Sequence, residues 1–116
     1  MREELKKRTK AFAIAIIKMT ETLPKKTSAF VLAKQIIRSS TSIGANYRAA
    51  LRGRSRAEFI AKLGIVEEEA DETMYWLELI VGTELLDKET IAPLWREANE
   101  LTAIFTSMGK TAKKNK

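Results

Sequence analysis

Residues 38–59 read RSSTSIGANYRAALRGRSRAEF, and this stretch contains the chain reversal that decides the fold. Apolar residues in its first half recur every three or four positions, which is the spacing of one helical face. Gly53 is then a C′ residue by position, and Ser55 with Glu58 three residues on matches a capping box. The stretch therefore predicts the end of one helix, a short turn and the start of the next helix.

The same helical period continues on both sides of this reversal. Four stripes of core positions follow from it. They are Leu5, Phe12, Ile16, Met19 and Leu23; Leu32, Ile36, Ser40, Ile43, Tyr47 and Ala50; Phe59, Leu63, Val66, Ala70, Thr73 and Leu77; and Ile91, Leu94, Ala98, Leu101, Phe105 and Met108. Four amphipathic helices with short connections predict an all-α fold, an antiparallel up-down-up-down four-helix bundle.

Local signals set the expected helix ends. Pro24 ends the first helix, because the residue before a proline is pushed out of the α region. Thr27 or Ser28 is expected to cap the second helix, and Asp87 the fourth. The chain is expected to form a single four-helix-bundle domain over residues 1–109. Residues 110–116 lack apolar periodicity and are expected to form a flexible basic tail.

Composition excludes several classes of function. The chain has no cysteine and no histidine, so disulfides, thiolate metal sites and an imidazole general base are excluded. No catalytic constellation is visible, so we expect a protein that is not an enzyme and uses no cofactor, metal or small-molecule substrate. The apolar run AFAIAII is interrupted at Lys18 and is too short to span a membrane, which makes the cytoplasm the expected location.

Charge is divided unevenly along the chain. Residues 1–56 carry fourteen Lys and Arg against three Asp and Glu, whereas residues 57–116 carry seven against twelve. The two parts therefore have net charges of +11 and −5 within a total of +6. Either the basic part meets an anionic partner, or the two parts attract each other during folding or assembly.

Two basic clusters are candidates for contact with nucleic acid. The first comprises Arg48, Arg52, Arg54, Arg56 and Lys62; the second comprises Lys6, Lys7, Arg8 and Lys10. Arginine binds phosphate bidentately, and a sequence pI near 9.7 is typical of nucleic-acid-binding domains. The alternative is a solvated or subunit-facing basic surface. No motif for base-specific recognition is visible.

An interhelical polar layer is expected between the second and third helices. If the chain reverses near Gly53, Arg38 lies beside Glu68 and Glu69, and Gln35 lies beside Glu72. An Arg-carboxylate pair of this kind fixes the register of two helices. Asn46 is expected to bond to the hydroxyl of Ser42 or Thr41.

Two further features have alternative interpretations. The run EEEADE at residues 67–72 suggests a carboxylate magnesium or manganese site, but a solvated acidic face paired with cations is the preferred interpretation. Bulky Tyr75, Trp76 and Leu77 widen the apolar band of the third helix, which favours oligomerisation.

The run from Lys34 to Ile80 resembles a family of four-helix bundles that includes proteins encoded by intervening sequences in bacterial large-subunit ribosomal RNA genes. The resemblance depends on four short motifs. They are Leu23-Pro24, the pattern from Gln35 to Asn46, Arg-Ser-x-x-Glu-Phe at residues 54–59 where the third helix begins, and Trp-Leu-Glu-Leu at residues 76–79 near its end. It covers roughly residues 8–110.

This resemblance implies a left-handed antiparallel bundle and a homo-oligomer. Related bundles, such as the accessory proteins of diversity-generating retroelements, form pentamers and bind nucleic acid and a reverse transcriptase. Many members of the intervening-sequence branch have Ala-Glu-Gly after the asparagine, whereas this chain has Tyr47-Arg48-Ala49-Ala50 and so is similar to a variant branch.

Two hypotheses follow. In the first, an oligomeric bundle without enzymatic activity binds RNA or another polyanion through phosphate contacts. In the second, the basic and acidic parts bind neighbouring subunits or a protein partner, and no nucleic acid is involved.

Overall fold

Four helices make up the computed structural model, which describes residues 1–115. They are α1 (Arg2–Thr20), α2 (Thr27–Leu51), α3 (Arg56–Gly82) and α4 (Lys88–Lys114). No strand occurs within the described chain. Each helix packs against the next one along the chain, and the bundle measures 48 × 21 × 20 Å. The predicted all-α, up-down-up-down bundle is confirmed.

The core follows the predicted stripes. In α2, every predicted core residue from Leu32 to Ala50 is buried. In α1 the stripe also includes Thr9, which is fully buried and fills the seven-residue gap between Leu5 and Phe12. The Oγ1 atom of Thr9 donates to the Leu5 carbonyl at 2.8 Å, so the buried hydroxyl is satisfied within its own helix. Leu23 packs on the core from the turn that follows α1.

The predicted cap of α2 is wrong. The N-cap is Lys26, whose backbone is extended and whose side chain makes no capping bond. The helix begins earlier than expected because the Phe30 amide already donates to the Lys26 carbonyl at 3.1 Å. Thr27 and Ser28 therefore lie inside the first turn, where their hydroxyls cannot act as the N-cap.

The caps of α3 and α4 are confirmed. Ser55 Oγ accepts the Glu58 amide at 3.1 Å, and Asp87 Oδ1 accepts the Thr90 amide at 2.8 Å. Gly53 follows the C-cap of α2 but has no positive φ. A Cβ atom at Gly53 would lie 3.1 Å from the Ala50 carbonyl oxygen, so glycine serves the tight turn through its small size.

Helix α4 continues to Lys114, five residues past the expected domain boundary at residue 109. Its last turns are held against the start of α3, because Arg56 Nη1 donates to the Ala112 carbonyl at 3.1 Å. Residues 110–114 are thus helical. Their flexibility stays a prediction, and Lys116 lies outside the described residues.

Helix α1 makes the least packing contact with the other helices. It packs on α2 and touches α4 much less, whereas α3 packs extensively on both α2 and α4. The antiparallel order brings the starts of α1 and α3 to the same end of the bundle as the ends of α2 and α4. None of the described helices is long and apolar enough to cross a membrane.

Candidate functional site

A groove of about 420 Å³ separates α1 from α2. Its lining contains four cations and no acidic residue. The lining residues are Lys6, Lys7, Thr9 and Lys10 of α1 and Thr41, Gly44, Ala45 and Arg48 of α2. The helices approach closely at its floor because Gly44 has no side chain: a Cβ atom there would lie 3.1 Å from Thr9 Oγ1. The groove thus joins one residue of the first predicted basic cluster to three residues of the second.

The cations of this groove are largely unneutralised. Lys7, Lys10 and Arg48 are exposed, and none of them forms an ion pair within residues 1–115. Lys6 lies 3.4 Å from one Glu3 carboxylate oxygen. A concave surface lined by charges of one sign concentrates its field and attracts counterions of the opposite sign.

The groove lies near a strongly basic end of the bundle. The antiparallel topology collects cations there that are far apart in sequence. They are Arg2, Lys6, Lys7, Arg48, Arg52, Arg54, Arg56, Lys110, Lys113 and Lys114. The acidic residues in the same turns are Glu3, Glu4 and Glu58. Lys62, the remaining member of the first predicted cluster, is half-buried on α3 and outside the groove lining.

A larger cleft of about 840 Å³ lies at this same basic end. Apolar side chains, including Phe59, Ile104 and Met108, form much of its wall, and Arg2 and Arg56 also line it. Its lining has fewer cations than the α1–α2 groove, so the groove is the stronger candidate for a polyanion.

Arg8 is separated from the other members of its predicted cluster. Its guanidinium forms a two-pronged contact with Glu97 on α4, with both N···O distances at 2.7 Å, and it lies 2.8 Å from Glu100. Hydrogen bonds to Glu97 and then Glu100 raise the pKa of Arg8 further above its usual range. The positive charge of Arg8 is therefore committed to joining α1 to α4.

The polar layer between α2 and α3 centres on Arg38. Its Nη1 atom lies 3.2 Å from both carboxylate oxygens of Glu69, and its Nη2 atom contacts Glu72. Trp76 Nε1 also donates to Glu72, at 3.2 Å. Glu68 is exposed and makes no ion pair within residues 1–115. Of the two partners expected for Arg38, Glu69 is therefore confirmed, whereas Glu68 is replaced by Glu72, which lies one helical turn further along α3.

Two other predicted members of the layer are differently placed. Gln35 is half-buried, and in the described chain its side chain has no hydrogen bond to Glu72. Asn46 Nδ2 donates to the main-chain carbonyl of Ser42 at 2.9 Å. The predicted bond of Asn46 to a hydroxyl is wrong: the amide bonds to the main chain of its own helix, while the Ser42 hydroxyl donates to the Arg38 carbonyl at 2.7 Å.

Burial controls the titration of Glu69. Desolvation raises the pKa of this carboxyl group above its usual value, and the nearby positive charge of Arg38 partly offsets that rise. The side chain of Glu69 is only 16% exposed. Removal of Arg38 would therefore leave a poorly hydrated carboxylate without its main counterion.

A buried hydroxyl pair was missed by sequence reasoning. Ser39 Oγ and Thr73 Oγ1 lie 2.8 Å apart between α2 and α3. Thr73 Oγ1 also donates to the Glu69 carbonyl at 2.8 Å, which leaves Ser39 as the donor between the two hydroxyls. The pair could have been found from the sequence, because Thr73 was a predicted core position. A buried hydroxyl group needs a hydrogen-bond partner, in this case on the facing helix.

The acidic run at residues 67–72 gives no sign of a metal centre. Across the described chain, no group of three or more acidic, histidine or cysteine side chains has a suitable arrangement for a metal ion. Glu69 and Glu72 contact Arg38 instead, while Glu68 and Asp71 face solvent.

The fold and the charged groove define a class of basic, all-α four-helix-bundle proteins. The family model described as 23S rRNA-intervening sequence protein matches residues 2–107, and the chain belongs to this family. The resemblance drawn from residues 8–110 is therefore confirmed.

A solved structure supports the same relationship. It is a crystal structure, at 1.70 Å resolution, of a protein with unknown function from the S23 ribosomal protein family of Bacteroides thetaiotaomicron VPI-5482. The two chains are 40% identical and superpose with a TM-score of 0.87, over 95% of this chain and 99% of the other. A comparison with curated proteins gives no match.

Proposed function

We propose that this protein is a cytoplasmic, oligomeric bundle without enzymatic activity that binds RNA or another polyanion through its phosphates. The observation that carries the proposal is the α1–α2 groove, where Lys6, Lys7, Lys10 and Arg48 line a concave surface without an acidic residue. Lysine and arginine bind phosphate through charge-assisted hydrogen bonds, and such binding needs no base-specific side chain.

The basic end of the bundle extends this surface. Arg52 and Arg54 are exposed in the turn between α2 and α3, and Arg56 is exposed at the first position of α3, at the end of the bundle nearest to the groove. A polyanion that enters the groove can therefore continue across the turn. Arg8 is outside this surface, since Glu97 and Glu100 neutralise it.

The homo-oligomeric part of the proposal, a pentamer by resemblance, has separate support. Large apolar side chains are exposed on the outer faces of α2 and α3, including Val31 at 55% and Tyr75 at 53%. Exposed apolar side chains mark a surface that binds another chain when they form a continuous patch.

The decisive experiment measures RNA affinity as a function of salt concentration. The groove variant carries Lys7→Gln, Lys10→Gln and Arg48→Gln. A matched control carries Lys25→Gln, Lys88→Gln and Arg96→Gln, which removes equal charge from exposed positions outside the groove. A third variant carries Arg52→Gln, Arg54→Gln and Arg56→Gln and tests the turn.

The probe is a fluorescent RNA hairpin with a single-stranded tail, and its binding is followed by anisotropy. Each phosphate contact contributes about 0.7 to 0.9 to the slope of log affinity against log salt, so loss of three contacts should reduce that slope by about 2 to 3. The control should change the slope by less than one contact. Equal slopes for the groove variant and the wild-type protein would reject the groove as the binding site.

Light scattering tests the protein-partner alternative in the same samples. If the basic and acidic parts hold subunits together, high salt should dissociate the protein whether or not RNA is present. A defined oligomer that survives high salt and gains mass with total RNA only at low salt would support polyanion binding.

A further inference from the structure

The exposed face of α2 carries an aromatic ring in line with the groove. Phe30, Lys34, Thr41 and Arg48 are spaced four, seven and seven residues apart, so they lie on one helical stripe. All four are exposed, and Phe30 is 65% exposed despite its large apolar ring. The stripe spans about 27 Å at the rise of an α-helix. Thr41 and Arg48 line the groove, so the stripe continues the groove towards the far end of the bundle.

Helix α1 provides a second row beside this stripe. Lys7, Lys10 and Lys18 recur at helical spacing and are all exposed. The close approach of Thr9 to Gly44 sets the register of the two antiparallel helices and places Lys18 near the level of Lys34. The acidic residues on this side of α1 are Glu3 and Glu21, near its two ends, and Glu3 pairs with Lys6. Cations thus accompany the face over most of its length.

We propose that this face binds single-stranded RNA, with the phosphates along the cation rows of α1 and α2 and a base stacked on Phe30. The inference rests on the proposed function and adds to it the strandedness of the ligand and a base-contacting residue. A positive groove combined with an exposed aromatic ring is the usual arrangement for binding single strands without sequence preference.

The dimensions favour a single strand. The groove lies between two helices that approach closely at Thr9 and Gly44, and a single phosphodiester chain can follow such a groove more easily than a duplex can. A face of about 27 Å suits a site at the short end of the range of roughly 4 to 16 nucleotides found for single-strand binding folds. Bases in a duplex are stacked on each other and would leave the Phe30 ring unused.

The test compares Phe30→Ala with Phe30→Trp on two RNA probes of equal length, a labelled oligouridylate and a blunt duplex. Loss of one stacked base should weaken oligouridylate binding by roughly 5-fold to 100-fold in Phe30→Ala, and Phe30→Trp should restore it. Duplex binding should be the same in all three proteins. Ile65→Ala is the matched control, because Ile65 is also an exposed apolar residue, at 37%, but lies on α3.

A strand of the same length without bases gives a second readout. It should bind the wild-type protein and Phe30→Ala equally, because no base is present to stack. The inference is overturned if Phe30→Ala binds oligouridylate as well as the wild-type protein does, or if it changes the oligomer seen by light scattering. In either case a reduced salt slope in the groove variant would still support the proposed function.

Discussion

Gly44 of α2 lies so close to Thr9 of α1 that a Cβ atom added to the glycine would be 3.1 Å from Thr9 Oγ1. The Thr9 hydroxyl has little freedom to move, because it donates to the Leu5 carbonyl at 2.8 Å and lies 3.2 Å from the Lys6 carbonyl. This contact fixes the distance between the helices that carry the two rows of cations. The geometry of the groove therefore depends on a glycine in the middle of a helix.

We expect Gly44→Ala to destabilise the protein. Alanine gains about 1 kcal/mol of helix propensity over glycine, but overpacking a fixed contact costs about 1 to 3 kcal/mol. The net loss should be about 1 kcal/mol in the free energy of unfolding, measured by urea denaturation. Gly64→Ala is the matched control: no atom lies within 4 Å of a Cβ there, so it should gain up to about 1 kcal/mol.

The same substitution in a Thr9→Ala protein tests whether the contact between Gly44 and Thr9 causes the loss. In a Thr9→Ala protein, Gly44→Ala should cost much less, because the Oγ1 atom at 3.1 Å is gone. If Gly44→Ala stabilises the wild-type protein as much as Gly64→Ala does, the close approach of α1 and α2 is not a constraint.

Arg8 should contribute to stability and little to RNA binding. It joins α1 to α4, which otherwise touch little. Arg8→Met should lower the free energy of unfolding by about 0.5 to 1 kcal/mol, because the pair is partly exposed and screened by solvent. In a double-mutant cycle with Glu97→Gln, the coupling should shrink in high salt. A fall in the RNA salt slope like that of Lys7→Gln would contradict the separation of Arg8 from the groove.

The buried Ser39–Thr73 pair should behave as a unit. Thr73→Val removes the partner of the Ser39 hydroxyl and leaves it only a 3.3 Å contact with the Ile36 carbonyl. An incompletely satisfied buried hydroxyl should cost about 1 to 2 kcal/mol in the free energy of unfolding. Combined with Ser39→Ala, the loss should be smaller than the sum of the single losses. Thr41→Val, at an exposed position, should change stability by less than about 0.5 kcal/mol.

Loss of Arg38 should make stability more sensitive to pH. In Arg38→Met the pKa of Glu69 should rise further, because burial already raises it and Arg38 opposes that rise. The folded protein then holds a proton that the unfolded chain releases, so stability falls as the pH rises from the usual value of 4.5 through the raised pKa. The variant should lose up to about 1 kcal/mol relative to the wild-type protein near neutral pH and less near pH 4.

Urea midpoints across this pH range check the effect of Arg38→Met. Lys34→Met is the matched control, since Lys34 is an exposed cation of α2 that makes no ion pair within residues 1–115. It should show the pH dependence of the wild-type protein. A loss in Arg38→Met that is independent of pH would mean that Arg38 acts through packing alone.

The sequence was sufficient for the helices and for most of the core. Periodic apolar residues have one low-energy solution, which is to turn the apolar side of each helix towards the others, and the caps at Ser55 and Asp87 depend only on neighbours in sequence. The start of α2 was predicted wrongly, because Lys26 takes the cap position by its extended backbone conformation and without a capping side chain.

Only the tertiary structure decided which charged side chains form ion pairs and which remain unpaired. Arg8 and Lys7 are neighbours in sequence, yet Arg8 points to α4 and is neutralised, while Lys7 lines the groove with Arg48. Likewise, Glu69 and Glu68 differ in which helix they face. A helix turns by about 100° per residue, so adjacent side chains point in different directions, and only the packed neighbours determine which charges are paired and which remain free. The sequence determined a basic bundle; packing determined where its free positive charge lies.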